Sequence, residues 1–313
     1  MNILYITSSF EDYLQDVTFI GLRNLFGSSV VDFPKKDVLY SNCSKDASEL
    51  YGCGFTVWKI LDDIGVDREN VIQRVLQGEF EFVVFGSIWR QKDIFATMQQ
   101  QRVFAVKNVK FAFLDGEDHT RLYKPAVRYG NYFKREKIGW FRSLFSSDIG
   151  FSIPDIKVRE QAQEKIKTFA MHVQCDEAYK IEEIQKNCQK KYAFSTEADY
   201  YHDIAVSKYA VTMKKAGWDC MRHYEIAANL TVPCFYLLDE KPKNCAPHGL
   251  VDMHNVVTFN SADELLTKLD VIESSNLYPE MQSNVRAWIA ENKSSVAAQK
   301  LLRDCGFVSG GCC

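Results

Sequence analysis

Residues Ser207–Pro233 read SKYAVTMKKAGWDCMRHYEIAANLTVP, and the order of residue types along them decides the fold class. Tyr209, Ala210, Val211 and Thr212 form an apolar, β-branched run that suits a buried strand and breaks at Ala216-Gly217. A helix follows, with Asp219 as its expected N-cap because the carboxylate can accept a backbone N–H of the first turn. At spacings of three and four, Met221, Tyr224 and Ala228 make an apolar stripe, and Arg222, Glu225 and Asn229 make a polar one beside it. A strand–glycine–helix junction presents free N–H groups and a positive dipole end that suit a phosphate. Arg222 could reinforce such a site with paired hydrogen bonds, and Glu225 could accept from ribose hydroxyls. An ordinary amphipathic helix with solvated Arg and Glu fits the same letters.

The run Lys215-Ala216-Gly217-Trp218-Asp219-Cys220, with Arg222, Tyr224-Glu225 and Val232-Pro233, resembles the nucleotide-sugar-binding segment of exostosin-like and bacterial family-1-like glycosyltransferases of the two-Rossmann (GT-B) type. The resemblance is close over Ser207–Pro233 and extends to the rest of the chain in layout. It implies an α/β protein of two Rossmann-like doubly wound domains (GT-B) with a cleft between them. It also implies a nucleotide-sugar donor, a UDP-sugar or another NDP-sugar, and no tightly bound cofactor. Gly217 and Arg222 would meet the donor diphosphate and Glu225 the ribose, with Asp219 at the same helix start.

The chain has 313 residues, enough for two domains that each bury a core. Charged residues make up 25% and hydrophobic ones 46%, as in a globular protein, and the formal charge of −3 gives no global attraction to nucleic acid. No apolar run reaches the length of a membrane span, and Met1–Tyr13 lacks the basic and long apolar parts of a signal peptide. A cytoplasmic protein is expected, with peripheral membrane contact left open. The ten cysteines include no C-x-x-C pair, so neither zinc nor a redox dithiol is indicated. Cys312-Cys313 has the form of a double-cysteine prenylation site without other support.

From the N-terminus the pattern alternates. Asn2–Thr7, Ser29–Phe33, Phe82–Phe85 and Val109–Leu114 read as strands; Tyr13–Leu25 (ended by Gly27), Phe55–Ile64, Val71–Leu76 and Ile94–Gln101 read as helices. Such alternation implies parallel pairing through right-handed crossovers, with ligands at the carboxyl ends of the strands. The first such end, Thr7-Ser8-Ser9, lacks G-x-G-x-x-G, which argues against a dehydrogenase and leaves Ser8 and Ser9 to the acceptor. Phe151-Ser152-Ile153-Pro154-Asp155 marks a domain crossing, followed by a charged helical stretch, Lys157–Lys165. Thr168–Val173, Lys191–Phe194, Tyr209–Thr212, Val232–Leu238 and Val256–Phe259 form a second strand set. A helix opens at Ser261, and Pro279–Cys305 reads as one or two more. The expected division is an acceptor domain over 1–152, a nucleotide-sugar donor domain over 153–278, and helices over 279–313 that, as the resemblance implies, cross back to the first domain.

The loop after the fourth strand, Asp115-Gly116-Glu117-Asp118-His119, gathers three carboxylates and an imidazole within five residues. A sugar transfer in which the acceptor attacks the anomeric carbon needs a base for the acceptor proton, and Asp118 or His119 is the first choice, with Glu117 and Asp115 beside them. A solvated turn, a helix cap, or a divalent-metal site at Asp115-Gly116-Glu117 compete with that role. Metal independence is expected, with Arg222 and the helix end stabilising the departing diphosphate. Arg121–Arg142 interleaves basic residues with Tyr123, Tyr129, Tyr132, Phe133, Trp140 and Phe141. It could grip a phosphorylated lipid, a membrane face or single-stranded nucleic acid, or be core aromatics under a solvated cationic face. Arg121 and Arg128 are assigned to the acceptor, whether a glycan, a lipid-linked sugar or DNA. The polar loop Asp239–Gly249 offers Lys243 and His248 to donor phosphate or sugar. The expected function is glycosyl transfer from a nucleotide-sugar; a sugar transferase acting on a modified base in DNA and a non-catalytic nucleotide- or sugar-binding protein are the alternatives.

Overall fold

The computed structural model of the protein describes residues 1–137, 144–191 and 193–307. The chain divides into two compact units, one of Met1–Pro154 with Ser294–Cys313 and one of Asp155–Lys293.

In the first unit, β1 (Ile3–Ile6), β2 (Val30–Phe33), β3 (Phe82–Phe85), β4 (Lys110–Asp115), β5 (Asn131–Lys134) and β6 (Ser147–Asp148) form a parallel sheet in the order β2-β1-β3-β4-β5-β6. The order reverses at β1, so the carboxyl ends of β1 and β3 form the switch point of a doubly wound sheet. Side chains alternate between its two faces. Leu4, Ile6, Val83, Phe85, Phe111 and Phe113 pack in one cluster with α2 (Val71–Leu76) and α3 (Lys92–Gln100). On the other face Tyr5 meets Phe19 of α1 (Tyr13–Phe26), ring centroids 5.3 Å apart. Asp12 caps α1 through Gln15 N, and Gly27 ends it at φ 54°, a left-handed conformation that favours glycine. A short α4 (Lys124–Val127) leads into β5, and α10 (Ser294–Asp304) packs on α1. There a Cβ on Gly21 would stand 2.0 Å from the Ser294 carbonyl oxygen.

In the second unit β7 (Lys167–Phe169), β8 (Ser207–Met213), β9 (Val232–Tyr236) and β10 (Val257–Phe259) lie parallel in chain order. They are joined or flanked by α5 (Glu182–Asn187), α6 (Glu197–Ala205), α7 (Met221–Ala228), α8 (Ala262–Ser274) and α9 (Tyr278–Glu291). Ser261 caps α8, and Tyr224 of α7 stacks on Trp288 of α9 at 5.3 Å. The all-parallel α/β architecture expected from the sequence is the one observed.

Some local expectations fail. Residues 55–64 are turns and extended chain: Thr56 and Lys59 have φ of 79° and 51°, which no right-handed helix accommodates. Beyond a single turn at Asp155–Lys157, residues 158–165 form no helix. Their cations bind the second unit instead, Lys165 Nζ donating to Ala205 O at 2.8 Å and Arg159 Nε to Asn229 Oδ1 at 2.8 Å. Lys191–Phe194 yields no strand among the described residues, with Tyr192 outside them; His172 bridges to Gln189, and Phe194 lies against the Tyr200 ring at 5.5 Å. Trp140, Phe141, Arg142 and Cys312-Cys313 lie outside the described residues.

Candidate active site

At the carboxyl end of β8 the chain turns through Gly217, whose carbonyl accepts from Lys215 N at 3.0 Å, and enters α7. The N-cap of α7 is Cys220, without a side-chain cap bond, and not Asp219. Asp219 is buried, and its Oδ1 accepts from the Tyr224 hydroxyl at 2.9 Å, a partner one turn into the helix that draws the carboxylate inward. His223 pins the turn, lying 2.9 Å from Thr212 Oγ1 and 2.9 Å from Trp218 O. Burial pushes its imidazole down to about 4 and the Cys220 thiol up to about 12. Their 3.3 Å contact therefore joins two neutral groups rather than an ion pair.

The polar stripe of α7 faces inward. Arg222 Nε donates to Val211 O at 3.1 Å, Nη1 to the Tyr200 hydroxyl at 3.0 Å and Nη2 to His172 O at 2.6 Å. Tyr200, on α6, donates in turn to Glu225 Oε2 at 2.7 Å. Glu225 and Asn229 are buried. A guanidinium has five N–H donors, and these bonds use three of them. Arg222, Lys215, His172, Gln174 and the end of β8 line a small crevice at the carboxyl ends of β7 and β8. Burial, and then the nearby Arg222 charge, pushes His172 down to about 4, so it is neutral at pH 7. Glu225, Gly217, Lys243 and His248 are not among the residues lining it. Lys243 and His248 are exposed on the loop after β9, and the His248 carbonyl accepts from Trp288 Nε1 at 2.8 Å.

In the first unit the acidic loop after β4 is tied down. Asp115 is buried and accepts from Trp89 Nε1 at 2.8 Å, the Tyr132 hydroxyl at 2.5 Å and Lys134 Nζ at 2.6 Å. Glu117 pairs with Arg90 at 3.1 Å, and Asp118 pairs with Arg135. His119 packs edge-on against Trp89 at 4.8 Å, and its Nδ1 is shielded with no hydrogen-bond partner among the described residues.

Over its described residues, 121–137, the basic-aromatic stretch is exposed only in its first half. Tyr132, Phe133, Lys134, Arg135 and Lys137 are all buried, and Lys134 and Lys137 pair with Asp115 and Asp148. The reason is that β5 runs through the stretch and carries its side chains into the unit. Arg121 and Arg128 remain exposed, Arg128 lying 4.9 Å over the Tyr129 ring. Ser9 is exposed, whereas Ser8 is buried, its amide donating to Gln15 Oε1 at 2.8 Å and its carbonyl accepting from Lys36 Nζ at 2.9 Å.

Sequence reading misses the side chains that fill the switch point. Gln15, Gln91 and Lys36 are buried there, Gln91 Nε2 donating to Ile6 O at 2.8 Å and to Gln15 Oε1 at 3.2 Å. Their signal is faint: a glutamine at the start of α1, where the helix would otherwise bury apolar groups. It also misses Tyr200 and His172, which hold Arg222 from 22 and 50 residues away.

No family model matches the chain, and no curated protein matches it significantly in sequence. Solved structures match by shape. A glycosyltransferase from Rickettsia africae matches over 99% of this chain and 99% of its own, with a TM-score of 0.58 at 10% identity. Anabaena Alr3699/HepE in complex with UDP matches over 98% of this chain and 100% of its own, with a TM-score of 0.59 at 7% identity. The fold is theirs. HepE in complex with UDP-glucose matches over the same shares with a TM-score of 0.53 at 9% identity. What is shared at these identities is the two-Rossmann α/β architecture, not the exostosin-like subtype. Among the described residues no helix is long and apolar enough to cross a membrane, and no group of three or more His, Cys, Asp or Glu could hold a metal ion.

Proposed function

We propose that the protein is a glycosyltransferase that moves a sugar from a nucleotide-activated donor to an acceptor hydroxyl. The observation that carries it is a fold shared over almost the whole of both chains with a protein solved bound to UDP and to UDP-glucose. The crevice at the ends of β7 and β8 is the donor diphosphate site in this proposal. It offers the Lys215 ammonium and the Arg222 guanidinium.

In the transfer, the bond between the anomeric carbon and the diphosphate oxygen breaks, a bond to the acceptor oxygen forms, and the acceptor proton passes to a base. Negative charge grows on the departing diphosphate, where Arg222 and Lys215 stabilise it. Of the four residues of the acidic loop, His119 is retained as the base, because Asp115, Glu117 and Asp118 are held by Lys134, Arg90 and Arg135. Glu225 becomes a positioning residue that orients Arg222 through Tyr200. Lys243 and His248 are proposed contacts to the donor, and Ser9, Arg121 and Arg128 to a glycan or lipid-linked acceptor. We place the enzyme in the cytoplasm.

The test is a thermal-shift panel with UDP, GDP, CMP, dTDP and ADP, with and without magnesium. One nucleotide should raise Tm, and Lys215→Ala should reduce the shift while leaving the apo Tm unchanged. Indifference to every nucleotide would overturn the donor assignment.

A further inference from the structure

The face of the first unit built from α3 and α4 gathers positive charge that the chain itself does not neutralise. Residues 92–131 supply six exposed cations, Lys92, Arg102, Lys107, Arg121, Lys124 and Arg128, whose side chains make no hydrogen bond or ion pair among the described residues. The carboxylates of the same span are held elsewhere, Asp115 by Lys134, Glu117 by Arg90 and Asp118 by Arg135, which leaves Asp93 against the six. Surface cations in other places do find carboxylates, as Lys186 finds Glu182 and Lys190 finds Asp176. In a chain of formal charge −3 the face is a local positive field that draws anions to it.

One aromatic cluster joins these cations into a single surface. Phe95 of α3 meets Tyr123 and Tyr129 at 5.5 and 5.9 Å between ring centroids, and Phe104 stacks on Tyr129 at 4.5 Å. Lys92 Nζ lies 4.6 Å over the Trp89 ring and 5.7 Å from that of Tyr123, and Arg128 lies 4.9 Å over Tyr129. Arg121 and Lys124 flank Tyr123 in the chain, and Arg102 and Lys107 flank the turn Val103–Ala105 that carries Phe104.

We propose that this face docks the protein on an anionic lipid surface, its six cations set against lipid phosphates. The proposal deepens the transferase reading and takes its purpose from it. Trp89 touches both Lys92 and His119, the latter at 4.8 Å, so an acceptor borne on a lipid would arrive beside the proposed base. Single-stranded nucleic acid fits less well, because it needs ring faces free to stack on bases. Here Trp89, Phe104, Tyr123 and Tyr129 are packed against the core of the sheet and already engage one another, His119 and the cations. Contact through exposed charges alone is superficial, reversible and screened by salt.

The experiment sediments the whole protein with vesicles of phosphatidylcholine containing roughly one-third phosphatidylglycerol, and with pure phosphatidylcholine as control. The anionic vesicles should carry the protein down in about 0.1 M salt and release it in about 1 M. Lys92→Gln combined with Lys124→Gln should weaken partitioning about twentyfold at unchanged apo Tm, whereas Lys92→Arg with Lys124→Arg should restore it. Lys186→Gln with Lys190→Gln, an equal change of net charge on the second unit, should leave partitioning as it was. Equal sedimentation with both vesicles, or equal losses in the two glutamine pairs, would overturn the docking face. A single-stranded oligonucleotide that displaces the protein from vesicles at equal phosphate concentration would overturn it in favour of nucleic acid. Lost docking with an intact nucleotide shift in Tm would spare the donor site; docking without any nucleotide shift would spare the face and remove the donor site.

Discussion

The Tyr200 hydroxyl donates to Glu225 Oε2 at 2.7 Å while accepting from Arg222 Nη1 at 3.0 Å, so the residue expected at the ribose and the one expected at the diphosphate are joined through a third. Tyr200→Phe keeps the ring but removes the link. It should cost about 1–3 kcal/mol of stability, because a buried carboxylate loses a donor, and it should shrink the Tm shift given by the donor nucleotide. Urea unfolding reads the first effect and thermal shift the second; a full-sized shift would show that Arg222 needs no support from Glu225.

Arg222 itself is a poor probe of phosphate binding, because Arg222→Ala would release Val211 O, His172 O and Tyr200 together. Arg222→Lys keeps the charge and loses the fork, and should lower both stability and nucleotide affinity. Lys215 is exposed and its side chain holds no such bond, so Lys215→Ala should lower nucleotide affinity roughly tenfold at constant stability. Calorimetric titration separates the two; equal affinity in Lys215→Ala would move the phosphate elsewhere.

The two units should respond to acid in opposite directions. His172 and His223 fall from 6.5 to about 4 on folding, so between those values the unfolded chain takes up protons that the folded second unit refuses. Stability of that unit is lost as pH falls through this window, with a limiting slope of about 2.7 kcal/mol per pH unit for two groups. Asp16 rises from 3.8 to about 6, so its contribution favours the first unit at low pH and is lost as pH rises through 6. Hydrogen-exchange protection at pH 7 and pH 5, compared unit by unit, should drop in the second and hold or rise in the first.

Asp115→Asn should destabilise the first unit by about 3–5 kcal/mol, since it leaves the Lys134 ammonium buried without its counter-charge. Loss of activity in that variant would not mark Asp115 as a base. Asp115→Asn combined with Lys134→Met should recover much of the stability, which chemical denaturation can measure. Failure to recover would show that Trp89 and Tyr132, not the charge pair, set the cost.

Much of the fold is legible in the letters. Phe82–Phe85 and Val71–Leu76 match the strand and helix observed, the first a short apolar run closed by Gly86 and the second a helical apolar spacing closed by Gly78. Phe55–Ile64 misleads because its apolar spacing is helical, while left-handed φ values at Thr56 and Lys59 leave no mark in composition. Lys134, Arg135 and Lys137 look like surface cations, and their partners Asp115, Asp118 and Asp148 lie too far along the chain to be paired by eye. At the candidate site, the strand–turn–helix around Arg222 is visible in the sequence. What Arg222 grips is not, since His172 and Tyr200 come from other elements of the second unit.

Gly21 accepts the backbone of Ser294 at a distance that no side chain would allow, and Ser294 N donates to Ile153 O at 2.8 Å. The last helix described is thus a wall of the first unit, although the whole second unit is synthesised before it. During translation the second unit can close as soon as it clears the ribosome, while the first waits with one side of α1 bare until residues 294–304 emerge. Completion of the first unit therefore requires a segment that is made after every residue of the second, so the two units are interleaved in synthesis although separate in space.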